Sequence, residues 1–400
     1  MLDKIKRFAV KNKFFNLLII IAFRISGLLI SLLYILLRIL PLKDKVVCIN
    51  MKGKRYGDNP KYITNALLDS GYKGEIVWLF RDPDHMEVPV GVRKAKYNIL
   101  TEIYETATAK VWIDSNLKWY GTRKRKGQIY IQTWHGSYGL KKIQGDIPDK
   151  ISYFDRVIYK HNSKIIDQFV TNSDMTTEIY KRAFEFDGRI VQCGSPRNDV
   201  FFRDSSEAVS KVLTHFGIQG KKTVLYAPTY RNHFTTSQFD LDYDRLIRTL
   251  EERFGGEWVI LIRMHPQNML EAAKFVEYND RIINATDYPD MQELLVACDI
   301  LISDYSSCMF DFVTDGKTCL IYASDIEAYR QERDYYFSLE ELPFPVASDN
   351  DQMELNIRSF DEEKYASDLK SLFDRVGLSE SGHASDIIAK QIIDFMENNA

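Results

Sequence analysis

A histidine and two lysines stand in one short segment of the chain. Trp134, His135 and Gly136 come directly after an apolar run, and Lys141 and Lys142 follow a few residues later. An imidazole has an ordinary pKa near neutral pH, and between a strand and a glycine turn His135 could act as a general base toward a hydroxyl. Trp134, Gly136 and the two lysines could contact the molecule that carries this hydroxyl, or they could balance phosphate charge. The alternative is a histidine that only hydrogen-bonds a turn.

Cationic side chains recur after two later apolar runs. Arg231 ends the segment YAPTYR, and Arg263 and His265 lie in RMHP. Because the carboxyl ends of parallel strands share one edge of a sheet, these three side chains should converge on one cleft. Two guanidinium groups and an imidazole suit a pyrophosphate better than a neutral ligand. Separate surface salt bridges are the alternative.

A further polar cluster lies where an apolar run meets a predicted helix. Asp304, Ser306 and Ser307 precede that helix, and Asp311 lies within it. A helix N-terminus offers free N–H groups and a favourable dipole to phosphate oxygens, and two hydroxyls would add donors. Ordinary helix capping would produce the same pattern. Asp311 is either an acceptor for ribose hydroxyls or a salt-bridge partner.

Two other segments carry positive charge. In GSPRND at 194–199, glycine and proline favour a rigid turn from which Arg197 could donate to the substrate, and an interdomain hinge is compatible with the same residues. The run RKRK at 123–126, preceded by Lys118, is most simply a solvated loop. It could instead bind anionic lipid or a polyanionic acceptor.

The main clusters follow the strands of an alternating strand and helix pattern. β-branched and apolar runs predict the strands, and helical periodicity with capping residues or a final glycine predicts the helices between them. The predicted strands are 45–50, 75–80, 111–116, 128–136, 167–174, 189–199, 222–231, 258–266 and 300–307. The alternation predicts parallel sheets with right-handed crossovers.

The pattern occurs as two series, which predicts an α/β protein with two Rossmann-like domains facing each other across a cleft. We place the first domain at 45–203 and the second at 204–400, after an N-terminal segment at 1–44. Ligands of such sheets bind outside the carboxyl ends of the strands.

Composition and missing motifs exclude several classes of protein. A net charge of −3 is not that of a general nucleic-acid binder. The sequence has no G-x-x-x-x-G-K-[ST], no G-x-G-x-x-G before a helix and no metal-ligand spacing. We therefore expect cations and a helix dipole, without a cofactor, to stabilise a leaving phosphate. The five scattered cysteines are predicted to be buried thiols of a cytoplasmic protein.

The N-terminal segment is predicted to associate with a membrane. Residues 15–41 are strongly apolar, although Arg24 and Arg38 interrupt them. These arginines share one narrow helical stripe with Gly27, Ser31 and Tyr34. We expect a helix that lies in the interface with its arginines directed toward water, behind a basic flank that favours anionic lipid. A single membrane span is the alternative.

The motifs, taken in order, resemble those of one enzyme family. QTWHGSYGLKKIQGD, CGSPRND, YAPTYR, RMHP and DYPDMQELLVACDILISDYSSCMFDF are similar to motifs of the CDP-glycerol glycerophosphotransferases, the teichoic acid primases and polymerases. The resemblance extends from about residue 45 to the C-terminus. Each motif is modest alone, but the five in order are specific.

The resemblance implies a GT-B fold, with an acceptor domain followed by a donor domain, on the cytoplasmic face of the cell membrane. It implies transfer of glycerol phosphate or a related alditol phosphate from a CDP-activated donor to an envelope polymer or lipid-linked acceptor. His135 would be the catalytic base, and His265 a second essential histidine near the donor phosphates. Ser306 and Ser307 match pyrophosphate-binding hydroxyls, and Arg197 matches a cleft-forming position.

The chain departs from the family pattern at two places. Ser137 and Tyr138 replace the usual Thr-Pro after WHG, and Phe344 replaces a common glycine after Pro343. Glycerol and ribitol donors therefore both stay open, as do teichoic acid and capsule acceptors. Two further hypotheses are a sugar transferase that uses a UDP- or CMP-activated donor on the same fold, and a non-catalytic scaffold of envelope assembly.

Overall fold

The computed structural model describes residues 13–136, 138–229, 240–264, 276–326 and 334–398. Within these residues the chain forms two parallel β-sheets flanked by helices, which is the α/β class that the alternating pattern predicts. The first sheet has the order β3-β2-β1-β4-β5-β6-β7. Its strands are β1 (Lys43–Ile49), β2 (Glu75–Phe80), β3 (Val92–Lys96), β4 (Ala109–Asp114), β5 (Ile129–Gln132), β6 (Gln168–Thr171) and β7 (Arg189–Gln192).

The second sheet has the order β10-β9-β8-β11-β12-β13. Its strands are β8 (Lys222–Tyr226), β9 (Trp258–Ile262), β10 (Ile282–Asn284), β11 (Ile300–Ser303), β12 (Thr318–Tyr322) and β13 (Val346–Ala347). The described helices are α1 (Lys13–Leu36), α2 (Asp58–Asp69), α3 (Ile99–Thr108), α4 (Tyr153–Ser163), α5 (Asp174–Ala183), α6 (Ser206–Phe216), α7 (Tyr243–Phe254), α8 (Met291–Ala297), α9 (Cys308–Phe312), α10 (Asn350–Arg358), α11 (Glu362–Val376) and α12 (Ala384–Asn398).

The central strands are buried on both faces, which explains why they stand out in the sequence. Every residue of β4 and of β9 is buried. A parallel sheet covered by helices on both sides selects continuous apolar runs of this kind. The edge strand β3 has no such run, because VRKAK is largely exposed. All five cysteines are buried free thiols, as predicted.

The strand order reverses at one place in each sheet, between β1 and β4 in the first and between β8 and β11 in the second. At such a switch point the connections leave toward opposite faces, and a crevice opens at the carboxyl edge where α/β proteins bind ligands. The loop at 50–57 and Ser115 border the first switch point. The loop at 227–229 and the segment at 304–307 border the second.

The last helix returns to the first domain. Ala384, Ile388, Ala389 and Ile392 of α12 are buried in one apolar cluster with side chains of the first sheet. The assignment of all residues 204–400 to the second domain therefore needs correction for α12, since chain order alone could not reveal this return. The boundary near residue 203 stays a prediction.

Helix α1 lies along the first domain with its polar stripe facing the protein. Arg24 donates to the hydroxyls of Tyr120 and Tyr153, at 2.8 and 2.6 Å. The hydroxyl of Ser31 donates to the Gly121 carbonyl at 2.8 Å. Arg24 is exposed, as expected, but hydroxyl acceptors on the first domain also hold its guanidinium group, which the sequence did not indicate.

The opposite face of α1 is apolar and exposed. Leu28 is 67% exposed, Leu32 51% and Leu36 56%. Residues Phe14–Ile39 are long and apolar enough to cross a bilayer by length and composition alone, a test that some core helices and signal sequences also pass.

Candidate active site

His135 is held in one tautomer beside the first switch point. Its Nδ1 lies 2.7 Å from the carbonyl oxygen of Ser115, directly after β4. Because a carbonyl only accepts, Nδ1 carries the proton and Nε2 keeps its lone pair. Burial lowers the pKa of His135 below its ordinary value, so the ring is neutral at neutral pH. An oriented neutral imidazole with a free nitrogen is suited to accept a proton.

Trp134 supports the imidazole from one side. The two rings stack with centroids 4.3 Å apart. Trp134 has a backbone φ of 51°, and its N–H donates to the side-chain oxygen of Gln132 at 2.8 Å. A positive φ is uncommon for a bulky residue, and here the turn aims the histidine away from the strand direction.

Ser115 in turn is fixed by the loop after β1. Its hydroxyl donates to the Asn50 side-chain oxygen at 2.8 Å and accepts from the Met51 N–H at 3.2 Å. The carbonyl that orients His135 is therefore anchored to both strands of the switch point. This support uses backbone atoms and small polar side chains, which the sequence alone did not identify.

The chain after His135 crosses to the second domain. Gly136 accepts from the Tyr180 hydroxyl at 3.2 Å, and Tyr138 is then fully buried in the core of the second domain. The Lys142 N–H donates to the Asp334 carbonyl at 2.9 Å, and Lys141 forms an antiparallel bridge with Tyr335. The backbone of both lysines thus joins the domains, while the phosphate role of their side chains stays a prediction.

Arg197 lies at the centre of the domain junction. It is 5% exposed, and its guanidinium group contacts Asp58 of the first domain at 2.7 Å and Asp311 of the second at 2.9 Å. Asn198 also donates to Asp311, at 3.2 Å. These contacts engage Arg197 in the junction between the domains, and its cleft-forming and donor-binding roles stay predictions. The contacts also make Asp311 a salt-bridge partner, one of its two predicted roles.

The second switch point carries the predicted donor residues. Asp304 accepts from the Thr229 N–H at 2.9 Å and so ties the loop after β8 to the end of β11. The Ser306 hydroxyl accepts from the Cys308 N–H at 3.4 Å, and Ser307 directly precedes α9. Ser306 and Ser307 are partly exposed. They stand where a phosphate could meet two hydroxyls at the N-terminal end of α9.

Arg263 is close enough to Arg55 of the first domain for the two charges to interact. It follows β9 and donates to the Tyr288 carbonyl at 2.8 Å. Burial, and then repulsion from Arg55 of the first domain, lower the pKa of Arg263 to about 10. An anion between the two guanidinium groups would relieve this repulsion, which makes them candidate phosphate contacts. Sequence reasoning missed Arg55, although its loop after β1, MKGKRYG, is visibly basic.

Two predicted residues, Arg231 and His265, lie outside the described residues, so their placement stays a prediction. Of the rest, His135 and Arg197 are close enough to interact electrostatically, and Arg197 reaches Asp311 of α9. Within the described ranges, no group of three His, Cys, Asp or Glu side chains could hold a metal ion.

The two parallel α/β domains and the crevice between them define a GT-B-like transferase fold. The sequence model described as CDP-Glycerol:Poly(glycerophosphate) glycerophosphotransferase matches residues 32–394. The chain belongs to that family, which confirms the resemblance read from its motifs.

Several relatives are named for teichoic acid synthesis. The chain is 27% identical to a teichoic acid poly(glycerol phosphate) polymerase of Bacillus spizizenii, over 91% of this chain and 95% of that protein. It is 28% identical to a teichoic acid glycerol-phosphate transferase of Staphylococcus aureus, over 89% and 95%. It is 29% identical to a Staphylococcus epidermidis polymerase, over 85% of this chain but only 49% of that longer protein.

Solved structures agree with this placement. A structure of the wall teichoic acid polymerase TagF, at 26% identity, superposes with a TM-score of 0.81 and covers 99% of this chain and 98% of that one. A histidine variant of TagF soaked with CDPG matches at 28% identity with a TM-score of 0.78, over 89% and 90%.

Proposed function

We propose that this protein transfers a glycerol-phosphate unit from CDP-glycerol to a hydroxyl of a teichoic acid chain or its lipid-linked precursor. The acceptor oxygen attacks the β-phosphorus, the bond between that phosphorus and the bridging oxygen breaks, and CMP leaves with the bond's electrons. The observation that carries the proposal is the oriented, neutral His135. It lies close to the domain junction at which Arg197 contacts Asp311 of α9.

His135 acts as the base in this reaction. Its Nε2 takes the hydroxyl proton as the new oxygen–phosphorus bond forms, and the Ser115 carbonyl then stabilises the resulting imidazolium. The lowered pKa of His135 keeps the base unprotonated at neutral pH.

The donor pyrophosphate binds along the second switch point. The hydroxyls of Ser306 and Ser307 face its oxygens at the start of α9, and Arg263 and Arg55 neutralise its charge from the two domains. Arg231 and His265 are proposed to complete this site, on the resemblance alone. Relatives named for glycerol phosphate and for ribitol phosphate both match the chain. A panel of CDP-alditols would separate these donors.

We also propose that α1 attaches the protein to the cytoplasmic face of the membrane without crossing it. Its polar face is occupied by contacts with the first domain, whereas its outer face presents leucine and isoleucine to the surroundings. A helix with these two faces suits an interfacial position.

The base assignment is tested with His135→Ala. We expect CMP release from CDP-glycerol with a membrane acceptor to fall by on the order of 10²–10⁴, because general base catalysis contributes about this factor. Stabilisation of the protein by CDP-glycerol in a thermal shift should persist. His85→Ala is the matched control, since His85 is exposed beside Asp82. Near-normal turnover of His135→Ala would refute the assignment.

A further inference from the structure

A basic cavity lies beside the turn that connects α1 to β1. Its volume is about 660 Å³, and it opens between the turn after α1 and the loop before β5. The residues that line it are Arg38, Lys124, Arg125, Lys126, Gln128 and Asp167. It is separate from the cleft that holds His135, and the proposed transfer reaction does not use it.

The positive charge of this cavity exceeds its negative charge. The single carboxylate, Asp167, is paired with Lys124 and also accepts from the Tyr130 N–H at 2.7 Å. Within the described part of the chain, the Arg125 guanidinium group donates only to carbonyl oxygens, those of Arg38 at 2.8 Å and Leu40 at 2.7 Å. Neutral carbonyls fix the guanidinium group but do not cancel its charge.

Two further cations add to this excess. Arg38 donates to the Lys124 carbonyl at 3.3 Å, and Lys126 is exposed. Among the described residues, no carboxylate pairs with Arg38, Arg125 or Lys126. Three uncompensated cations around an open cavity favour an anion with several oxygens, such as a phosphate.

The cavity also adjoins the exposed apolar face of α1. Ile39, which follows α1 by three residues, is 88% exposed, and Leu36 is 56% exposed. A glycerophospholipid has acyl chains next to a headgroup phosphate. The apolar side chains of α1 could contact the acyl chains while the adjoining cations contact the phosphate.

We propose that this cavity binds the headgroup phosphate of an anionic glycerophospholipid while the outer face of α1 enters the acyl region. The inference rests on the membrane attachment proposed above and adds a defined lipid site to it. Arg125 and Arg38 hold the phosphate, and Lys126 strengthens its attraction to the surface.

The test uses the full chain with Arg38→Gln and Lys126→Gln combined, which removes two of the three uncompensated cations and keeps the backbone carbonyls that hold Arg125. Binding is measured by co-sedimentation with vesicles of phosphatidylcholine alone or with 30% phosphatidylglycerol. We expect the variant to lose on the order of tenfold or more in affinity for the anionic vesicles, because each basic residue near the surface contributes a several-fold factor. Binding to phosphatidylcholine, which depends on α1, should change little.

The matched control is Lys73→Gln with Lys370→Gln, two exposed lysines outside the cavity with the same change in net charge. An equal loss in this control would overturn the proposal, because it would show only a general charge effect. Unchanged binding of the cavity variant, or an equal loss on both vesicle types, would also overturn it.

Soluble glycerol 3-phosphate distinguishes a lipid site from a site for a free phosphate. Because a soluble phosphate lacks the acyl chains and should compete only weakly, full competition by micromolar glycerol 3-phosphate would contradict the lipid assignment. Transfer to a soluble acceptor is assayed in parallel, so that failure of the lipid site and failure of the proposed reaction can be told apart.

Discussion

The chemistry of single residues in this protein depends on how backbone atoms orient them. His135 could be recognised from its place after an apolar run and before a glycine. Its tautomer could not, because it is set by the Ser115 carbonyl, twenty residues earlier in the chain. The general base is therefore defined by a contact between two strand ends rather than by its own motif.

Tyr138, a departure from the family pattern, packs as an anchor between the domains. It is fully buried against Phe310, with ring centroids 4.8 Å apart, and its hydroxyl has no hydrogen-bond partner among the described residues. We expect Tyr138→Phe to change the free energy of unfolding by less than about 1 kcal/mol, since a hydroxyl without a partner contributes little. Tyr138→Ala should cost about 3–5 kcal/mol through the cavity it leaves.

Chemical denaturation of both variants provides the measurement. If the phenylalanine variant lost as much stability as the alanine variant, the hydroxyl would have a partner and the anchor would be polar rather than apolar.

At the scale of elements, the docking of α1 depends on close backbone approach. A Cβ added to Gly121 would overlap the carbonyl oxygen of Gly27 in α1. Gly121 has a φ of +96°, at which an alanine would be strained. Gly220 has a φ of +79°, so an alanine there would be strained as well, but it has open space around it. Comparing alanine substitutions at the two positions therefore separates the cost of the overlap with α1 from the cost of the backbone conformation.

We expect Gly121→Ala to lower the free energy of unfolding by about 1–3 kcal/mol more than Gly220→Ala, because overpacking a tight contact costs that much. The same variant should make α1 more sensitive to limited proteolysis. Equal destabilisation by the two substitutions would mean that α1 is not held by this contact.

The elements that could be predicted are those whose own residues determine them. The central strands appear as apolar runs because both their faces are buried, and helices such as α7 show their caps and final glycine. The charged edge strand β3 and the two-residue β13 carry no such local signal. They form through pairing with neighbours that are distant in the sequence.

The candidate site followed the same rule. Arg263 was predicted because it directly follows β9, and Ser306 and Ser307 because they lie in the turn between β11 and α9. Arg55 was missed because its significance lies in its approach to Arg263 of the other domain, which no local pattern encodes. The docking of the α1 stripe on the first domain was also missed, since the hydroxyls of Tyr120 and Tyr153 lie about a hundred residues away in the chain.

At the scale of the whole molecule, one polar network joins both domains and the returning C-terminal segment. Glu380 accepts from Asn198 at 2.8 Å, from Asn172 at 2.9 Å and from the Ser195 N–H at 2.9 Å. Beyond it, Asp199 accepts from the N–H groups that begin α12. The GSPRND segment is thus the point at which the chain passes between domains and later returns.

Glu380 makes the stability of this junction depend on pH. Burial raises its pKa from the ordinary 4.5 to about 7, against hydrogen bonds that favour the carboxylate. Between pH 4.5 and 7, the Glu380 carboxyl therefore binds more protons in the folded protein than in the unfolded chain. The free energy of unfolding contributed by this group is greatest below pH 4.5 and declines as pH rises to 7, by on the order of 3 kcal/mol.

Glu380→Gln removes this titration and keeps one acceptor oxygen for Asn198 and Asn172, while the hydrogen bond from the Ser195 N–H is lost at every pH. We expect the variant to have a smaller decline in the free energy of unfolding between pH 4.5 and 7 than the native protein, measured by denaturant titration at several pH values. Glu363→Gln, at an exposed position on α11, should retain the native dependence. If Glu380→Gln kept that dependence as well, Glu380 would be ionised in the folded protein, and the three hydrogen bonds would outweigh the cost of its burial.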